Sequence, residues 1–353
     1  MIEAPNTSTF TAAELDAEAD RIFQRLFTIE CSAEGSWTYE RCQEIAPITL
    51  EIERLKIERN ATVLAHSYVK PEIIYGVGDF VGDSYKLSVD AAENEKPVIV
   101  FSGVVFMAET AKILSPNARV YVPDMRSGCS LADSLTGPQL RELKAQIKGD
   151  FATVCYVNCN ADVKAECDVC VTSTNVYKII AALPQKKILF VPDRLMAENI
   201  RVEMRKLGID KEILTSDGTC EVHDQFTHDL IAEARARYPG VAVVSHPECT
   251  RDITERSDFV GSTSAMMNYV KTTDKPYYML LTECGLVSRL EVENPEKRFI
   301  GSCRMCPYMK MNSLEKIRDV LKFADPRLEV TLDEDIRIRA EASLRKMIEM
   351  TQA

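Results

Sequence analysis

The sequence predicts an α/β protein of three similar three-layer αβα units. Each unit has a short parallel sheet, and the three are arranged with pseudo-threefold symmetry around a central active site. Three observations carry this. Apolar runs of strand length recur at a near-constant period. Helical stretches separate them. One Gly-bearing loop with a cysteine follows the strands of each repeat.

The first strands of the three units are residues 62–68 (TVLAHSY), 152–158 (ATVCYVN) and 241–248 (VAVVSHPE), which start 90 and 89 residues apart. A second short strand follows each and runs into a small-hydroxyl turn and a helix: PVIVFSG from Pro97, CDVCVTST from Cys167 and SDFVGSTS from Ser257. The third strands are ARVYVPD from Ala118, KKILFVPD from Lys186 and PYYMLLTE from Pro276. On this reading unit one carries roughly 20 extra residues between its first two strands. Strands that are apolar throughout, rather than alternating, belong to parallel sheets covered on both faces. The expected organisation is a helical extension over residues 1–45, unit one over 46–141, unit two over 142–225 and unit three over 226–316, with 317–353 packing back on unit one.

Composition narrows the function classes. Apolar residues make up 46% and charged residues 27%, enough to build a core. The net charge of −11 argues against a nucleic-acid binder, which needs a basic face. It leaves room for an anionic small substrate, because a local pocket can oppose the global charge. The apolar run 97–108 stops at Glu109, short of the ~20 residues a spanning helix needs. The acidic, polar N-terminus lacks the basic and apolar regions of a secretory signal, so the expected compartment is the cytoplasm.

Twelve cysteines is a high count for such a chain. Without a secretory signal a disulfide framework is improbable, which leaves metal binding, catalysis or burial. Cys167 and Cys170 lie in an apolar strand and read as core residues. Cys303 and Cys306 lie in a turn (GSCRMCPYMK), where metal ligation and a plain turn are both open. Neither C-x-x-C pair has a partner pair at zinc-ribbon spacing. The repeat orders the remaining cysteines. SGCSL, SDGTCEVH and GSCRMCPYM bring Cys129, Cys220 and Cys303 or Cys306 to corresponding ends of the units; Cys129 and Cys220 are 91 residues apart, and Cys220 and Cys306 are 86 apart. Three thiolates converging on one axis suit a 4Fe–4S cluster with one iron left open as a Lewis acid, whereas four would suit electron transfer.

Ligands of open α/β sheets bind beyond the carboxyl ends of the strands. Those ends carry His66, Ser67 and Tyr68, then Tyr156 and Asn158, then His246 and Glu248. The second strands deliver Ser173 and Thr174, and Ser262 and Thr263, where the hydroxyls either cap the following helix or receive an anion. A strand-end histidine alone is usually structural. Here two of only four histidines sit at matching ends, which points to function.

The motifs AHSYVKPEI, GDSYKLS, FMAETAKILSP, YVNCNADVKAECDVCVTSTN, VPDRLMAENI, DGTCEVHD, SHPEC, VGSTSAMM and CRMCPYMKMNSL occur together and in order between about residues 50 and 320. In this the chain resembles the quinolinate synthases, the A proteins of bacterial NAD biosynthesis. The resemblance implies three homologous α/β domains around one active site. It implies a 4Fe–4S cluster, one per chain, on Cys129, Cys220 and Cys306, the last chosen because the family ligand directly precedes proline. The implied reaction condenses iminoaspartate with dihydroxyacetone phosphate to quinolinate, phosphate and water, without net electron transfer. Matching positions make His66 and Ser84, then Tyr156, Asn158 and Ser173, then His246, Glu248 and Thr263 substrate contacts. Tyr68, Glu248 and His246 are the implied catalytic residues, with Tyr68 and Glu248 moving protons. Many relatives have a third cysteine in the C-terminal motif; this chain does not, so a redox pair there would be Cys303–Cys306. The implied partners are the two small substrates and a transient contact with an L-aspartate oxidase or dehydrogenase supplying iminoaspartate, with no nucleic acid and no membrane. The competing readings are another 4Fe–4S hydro-lyase acting on a small carboxylate, and a non-catalytic metal-binding or electron-transfer module. The second predicts four thiolates and no polar strand-end cluster, against the sequence.

Overall fold

The apolar runs do form parallel strands. The structure, a computed structural model, describes residues 10–30, 35–301 and 304–353. These residues hold three four-stranded sheets. The first contains β1 (Ala61–His66), β2 (Phe80–Gly82), β3 (Val98–Ser102) and β4 (Arg119–Tyr121), in the order β2-β1-β3-β4. The second contains β5 (Phe151–Tyr156), β6 (Val169–Val171), β7 (Lys187–Val191) and β8 (Glu212–Thr215), in the order β6-β5-β7-β8. The third contains β9 (Ala242–Ser245), β10 (Phe259–Val260), β11 (Tyr278–Leu281) and β12 (Phe299–Ile300), in the order β10-β9-β11-β12. Every neighbouring pair is parallel. Helices interleave with the strands, and β1, β5 and β9 are almost wholly buried. Burial on both faces is why these strands read as continuous apolar runs.

The strand assignment of the first repeat differs from the sequence reading. PVIVFSG forms β3, which pairs with the opposite edge of β1 and corresponds to β7 and β11. The counterpart of β6 and β10 is β2, in GDFVGDSY. No extra segment therefore separates the first two strands. β2 escaped notice because it has three residues, of which Phe80 is exposed, so it makes no apolar run. A fourth edge strand, β8 or β12, was missed for the same reason.

One aspartate fixes the register of each second strand. The Asp79, Asp168 and Asp258 carboxylates accept the N–H of Val63, Thr153 and Val243 at 2.8, 2.7 and 2.8 Å. Their own N–H groups donate to the carbonyls of the same three residues. This reciprocal pair is a side chain substituting for one rung of a ladder.

The terminal helices brace this frame. Helix Ala12–Leu26 starts on a capping box at Thr11, and its Arg21 guanidinium donates to the Tyr75 and Gly76 carbonyls. Helix Leu314–Phe323 meets helix Tyr39–Glu58, with Arg59 donating to the Leu321 and Lys322 carbonyls. Residues 328–330 add an antiparallel edge to β4. Helix Glu334–Gln352 lies mainly along the second sheet, where Ala340, Leu344 and Met347 enter the core around β5 and β7. Burying Leu344 alone contributes about 1.5–3 kcal/mol. The first and third sheets share one continuous apolar cluster.

Candidate active site

The carboxyl ends of the three sheets face one cavity. Its position follows from the repeat. Counting from Val63, Thr153 and Val243, the third and fifth residues on are His66 and Tyr68, Tyr156 and Asn158, and His246 and Glu248. All six line the cavity. The second member of each pair lies past its strand, and in the first and third sheets a turn, closed by the Val69 N–H on the His66 carbonyl and the Cys249 N–H on the His246 carbonyl, carries it to the cavity. Ser84, Ser173 and Thr263, from the turns after β2, β6 and β10, also line it, as do Cys129, Cys220 and Cys306. These twelve residues thus border the same space, whereas Ser67 and Ser262, read at the same strand and turn ends, do not line it.

Hydrogen bonds set the protonation of the polar groups. His66 Nδ1 accepts the Tyr68 N–H at 3.2 Å, and His246 Nδ1 accepts the Glu248 N–H at 3.3 Å. A ring nitrogen that accepts carries no proton, so Nε2–H is the free donor of both rings. Burial lowers both histidines, to about 4 for His66 and about 3 for His246, so both are neutral near pH 7. Glu248 is ionised. Burial pushes its carboxyl up, hydrogen bonds from His223 and the Tyr156 hydroxyl pull it down, and the net shift is downward. Tyr156 OH donates to Glu248 Oε1, and His223 Nδ1 lies 3.1 Å from Oε2. His223 Nε2 meets Thr282 Oγ1 at 3.0 Å, and Thr282 Oγ1 meets Tyr68 OH at 2.9 Å. A continuous chain of hydrogen bonds therefore joins Tyr68 to Glu248. Burial raises Tyr68, so its phenol stays protonated. Asn158 Oδ1 is buried without a hydrogen-bond partner.

The three cysteine loops repeat one geometry. Cys129 Sγ faces the N–H groups of Ala132 and Leu131, Cys220 Sγ those of His223 and Val222, and Cys306 Sγ those of Met309 and Tyr308. The cysteine carbonyls accept the N–H four residues on, from Asp133, Asp224 and Lys310, at 2.9, 3.0 and 3.3 Å. A 3-10 turn follows each: Ala132–Ser134, His223–Gln225 and Met309–Met311. Seven residues after each cysteine, Thr136, Thr227 or Ser313 occupies the N-cap of the next helix. Burial raises all three thiols, Cys129 to about 12 and Cys306 to about 11. Sulfurs buried beside amide donors, yet protonated alone, are poised to lose protons to a cation.

Known proteins resemble this chain over most of its length. Residues 50–349 match the family described as Quinolinate synthetase A protein. The Caulobacter vibrioides (strain NA1000 / CB15N) protein named Quinolinate synthase is 41% identical over 347 residues, covering 95% of this chain and 92% of the relative. Quinolinate synthase 2 of Mesorhizobium japonicum is 42% identical over 330 residues, covering 91% and 99%. The Xylella fastidiosa (strain 9a5c) Quinolinate synthase is 43% identical over 297 residues, covering 84% and 85%.

The chain belongs to the quinolinate synthase family.

An iron–sulfur cluster in a member of the quinolinate synthase family needs buried thiolates with hydrogen-bond donors at sulfur. The three cysteine loops have that chemistry. Cys303 lies outside the described residues, and so does any Cys303–Cys306 pair. A second donor set is also present among the described residues: Cys220, His223 and Glu248 offer ligand atoms within 4.8 Å of one another.

Sequence reasoning missed several groups. His223 stacks on His246 at 4.8 Å and lies 3.2 Å from Cys220 Sγ. Its Cys-x-x-His spacing was the available signal. Asp83 caps helix Ser84–Ala92 and accepts from Ser264 and Thr174, tying turns of all three sheets together. Glu283 is buried at the end of β11 and also borders the cavity. No helix among the described residues is long and apolar enough to cross a membrane.

Proposed function

We propose that this chain is a quinolinate synthase that condenses iminoaspartate with dihydroxyacetone phosphate to quinolinate, phosphate and water. One observation carries the reading. Three cysteine loops with the same backbone hydrogen-bond pattern face the same cavity as six strand-end polar residues. Cys129, Cys220 and Cys306 would hold a 4Fe–4S cluster. When bound, the cluster supplies a Lewis acid for the late dehydration.

The chain's own groups do the rest. Ser84, Ser173 and Thr263 offer hydroxyls at turns into helices, and hydroxyl and N–H donors at such ends hold a phosphate dianion. The phosphate is thereby recognised without a cation. The neutral Nε2–H groups of His66 and His246 donate to carboxylate or carbonyl oxygens of the substrates. Asn158, with an unused carbonyl oxygen, orients a substrate N–H or O–H. Glu248, held ionised, takes the proton beside the imine or carbonyl. The Tyr68 phenol remains an acid, and the Thr282–His223 relay lets Tyr68 and Glu248 exchange the proton. Iminoaspartate would come from an L-aspartate oxidase or dehydrogenase, and the cytoplasm is the proposed compartment.

The test is anaerobic reconstitution followed by an assay. The protein should turn brown with about four iron and four sulfide per chain, and form quinolinate from the two substrates. A colourless protein holding one zinc would defeat the cluster, and a loaded protein forming no quinolinate would defeat the reaction.

A further inference from the structure

A buried ion pair joins the cluster loop to the catalytic turn. Glu283 follows β11 and is 1% exposed. Its Oε1 lies 3.0 Å from Lys310 Nζ and accepts the backbone N–H of Cys306 at 3.2 Å. Its Oε2 accepts the Gly285 N–H at 2.6 Å. Lys310 Nζ donates in turn to the Tyr68 carbonyl at 2.6 Å. The hydroxyl end of Tyr68 is held separately by Thr263 and Thr282, each at 2.9 Å. Two charged groups thus clamp the peptide of Cys306 and the peptide of Tyr68 against one strand end.

The surroundings are built around this pair. A Cβ on Gly285 would meet Glu283 Oε2 at 2.8 Å, the Tyr68 carbonyl oxygen at 2.8 Å and Lys310 Nζ at 3.0 Å. A side chain at that position would therefore enter the clamp itself. The loop before Cys306 reaches the same place through a parallel bridge from Glu283 to Arg304, with the Cys284 N–H on the Arg304 carbonyl at 3.1 Å. Cys129 and Cys220 have no counterpart of the clamp among the described hydrogen bonds. Their loops keep the backbone bridge, the Arg194 N–H on the Gly218 carbonyl and the Val105 N–H on the Ser127 carbonyl, each at 2.8 Å, and the shared 3-10 geometry, but lack the carboxylate–ammonium pair. A buried carboxylate is costly unless every oxygen is satisfied, and here backbone donors and one ammonium satisfy both.

We propose that Glu283 and Lys310 are positioning residues that hold the Cys306 loop and the Tyr68 turn in fixed register. This sets the third thiolate and the proton-transfer phenol at a constant separation. The inference rests on the reading of Cys306 as a cluster ligand and Tyr68 as a catalytic group. Neither Glu283 nor Lys310 is asked to touch substrate.

The test uses the full chain, first without cluster. Thiols are alkylated with iodoacetamide, and the rates at Cys129, Cys220 and Cys306 are read by mass spectrometry in one sample. In Lys310→Met and Glu283→Gln the Cys306 rate should rise by about tenfold or more, the worth of one hydrogen bond to a charged group. Cys129 and Cys220 should keep their wild-type rates. Lys310→Arg, which restores charge and donor, should return Cys306 toward wild type. Should either single variant fail to fold, Glu283→Gln/Lys310→Met leaves no lone buried charge and gives the same readout. In loaded enzyme, kcat should fall by more than the KM for dihydroxyacetone phosphate rises, because of the three phosphate hydroxyls only Thr263 touches Tyr68. Three cysteines accelerating together, or Cys306 unchanged, would overturn the proposal, as would an arginine variant no better than methionine. The alkylation pattern needs neither substrate nor cluster. A wild-type protein that made no quinolinate would therefore defeat the functional reading and leave this result standing.

Discussion

Replacing Glu248 with glutamine separates chemistry from structure at the centre of the site. The carboxylate accepts the Tyr156 hydroxyl on one oxygen and faces His223 Nδ1 on the other. Glutamine keeps the shape and one acceptor oxygen. Its amide meets His223 if the imidazole moves its proton to Nε2, where Thr282 Oγ1 can accept it. Two hydrogen bonds to a charged group, each worth ~1.5–3 kcal/mol, become neutral ones worth ~0.5–1.5 kcal/mol. Against that loss, a fully buried charge is removed. Stability should therefore change by less than about 2 kcal/mol, a shift of a few degrees in Tm. Proton removal is different, because an amide cannot act as a base. General-base catalysis contributes about 10²–10⁴-fold, so turnover per cluster should fall by that factor, roughly 3–5 kcal/mol of barrier. Iron and sulfide content, melting temperature and quinolinate formation are measured on one preparation. Near-wild-type turnover per cluster would refute the reasoning and leave Glu248 as a support for His223.

Other outcomes follow from the same geometry. Cys129→Ala, Cys220→Ala and Cys306→Ala should each abolish cluster binding, read as iron per chain, while Cys167→Ala and Cys170→Ala should not, since their thiols lie in the second-sheet core. His66 and His246 stay neutral when folded but titrate near 6.5 when unfolded. Their lowered values mean full stability above 6.5, lost as pH falls toward 4, because the unfolded chain binds protons that the folded one refuses. The slope should approach about 2.7 kcal/mol per pH unit for the pair and roughly halve in His66→Asn, checked by denaturant unfolding at several pH values. Gly218→Ala should cost about 1–3 kcal/mol, measured by the same unfolding, because its Cβ would press on the Pro192 carbonyl oxygen at 2.7 Å and on Ser134 Oγ.

The sequence by itself determined the fold class and put the strand-end polar residues and the cysteine loops at one end of the sheets. Both depend on local pattern. A strand buried on both faces must be apolar along its length, so β1, β5 and β9 announce themselves. A residue just beyond such a strand in a parallel sheet has few places to go but the ligand end, which is how His66, Tyr156 and His246 were located. The cysteine loops were legible because the same short loop occurs three times at nearly the same period. The tertiary structure decided what local pattern does not encode. β2, β8 and β12 are short edge strands, fixed by pairing with a longer neighbour rather than by their own residues. Helix Glu334–Gln352 has an apolar stripe that fits any sheet, and only packing placed it mainly on the second. Asp83, His223, Glu283 and Lys310 are polar residues whose roles come from partners remote in sequence. Lys310 reaches Tyr68 across 242 positions, and Glu248 meets Tyr156 across 92. A charged side chain in a loop reads as solvent-facing until the fold shows which opposite charge is buried beside it.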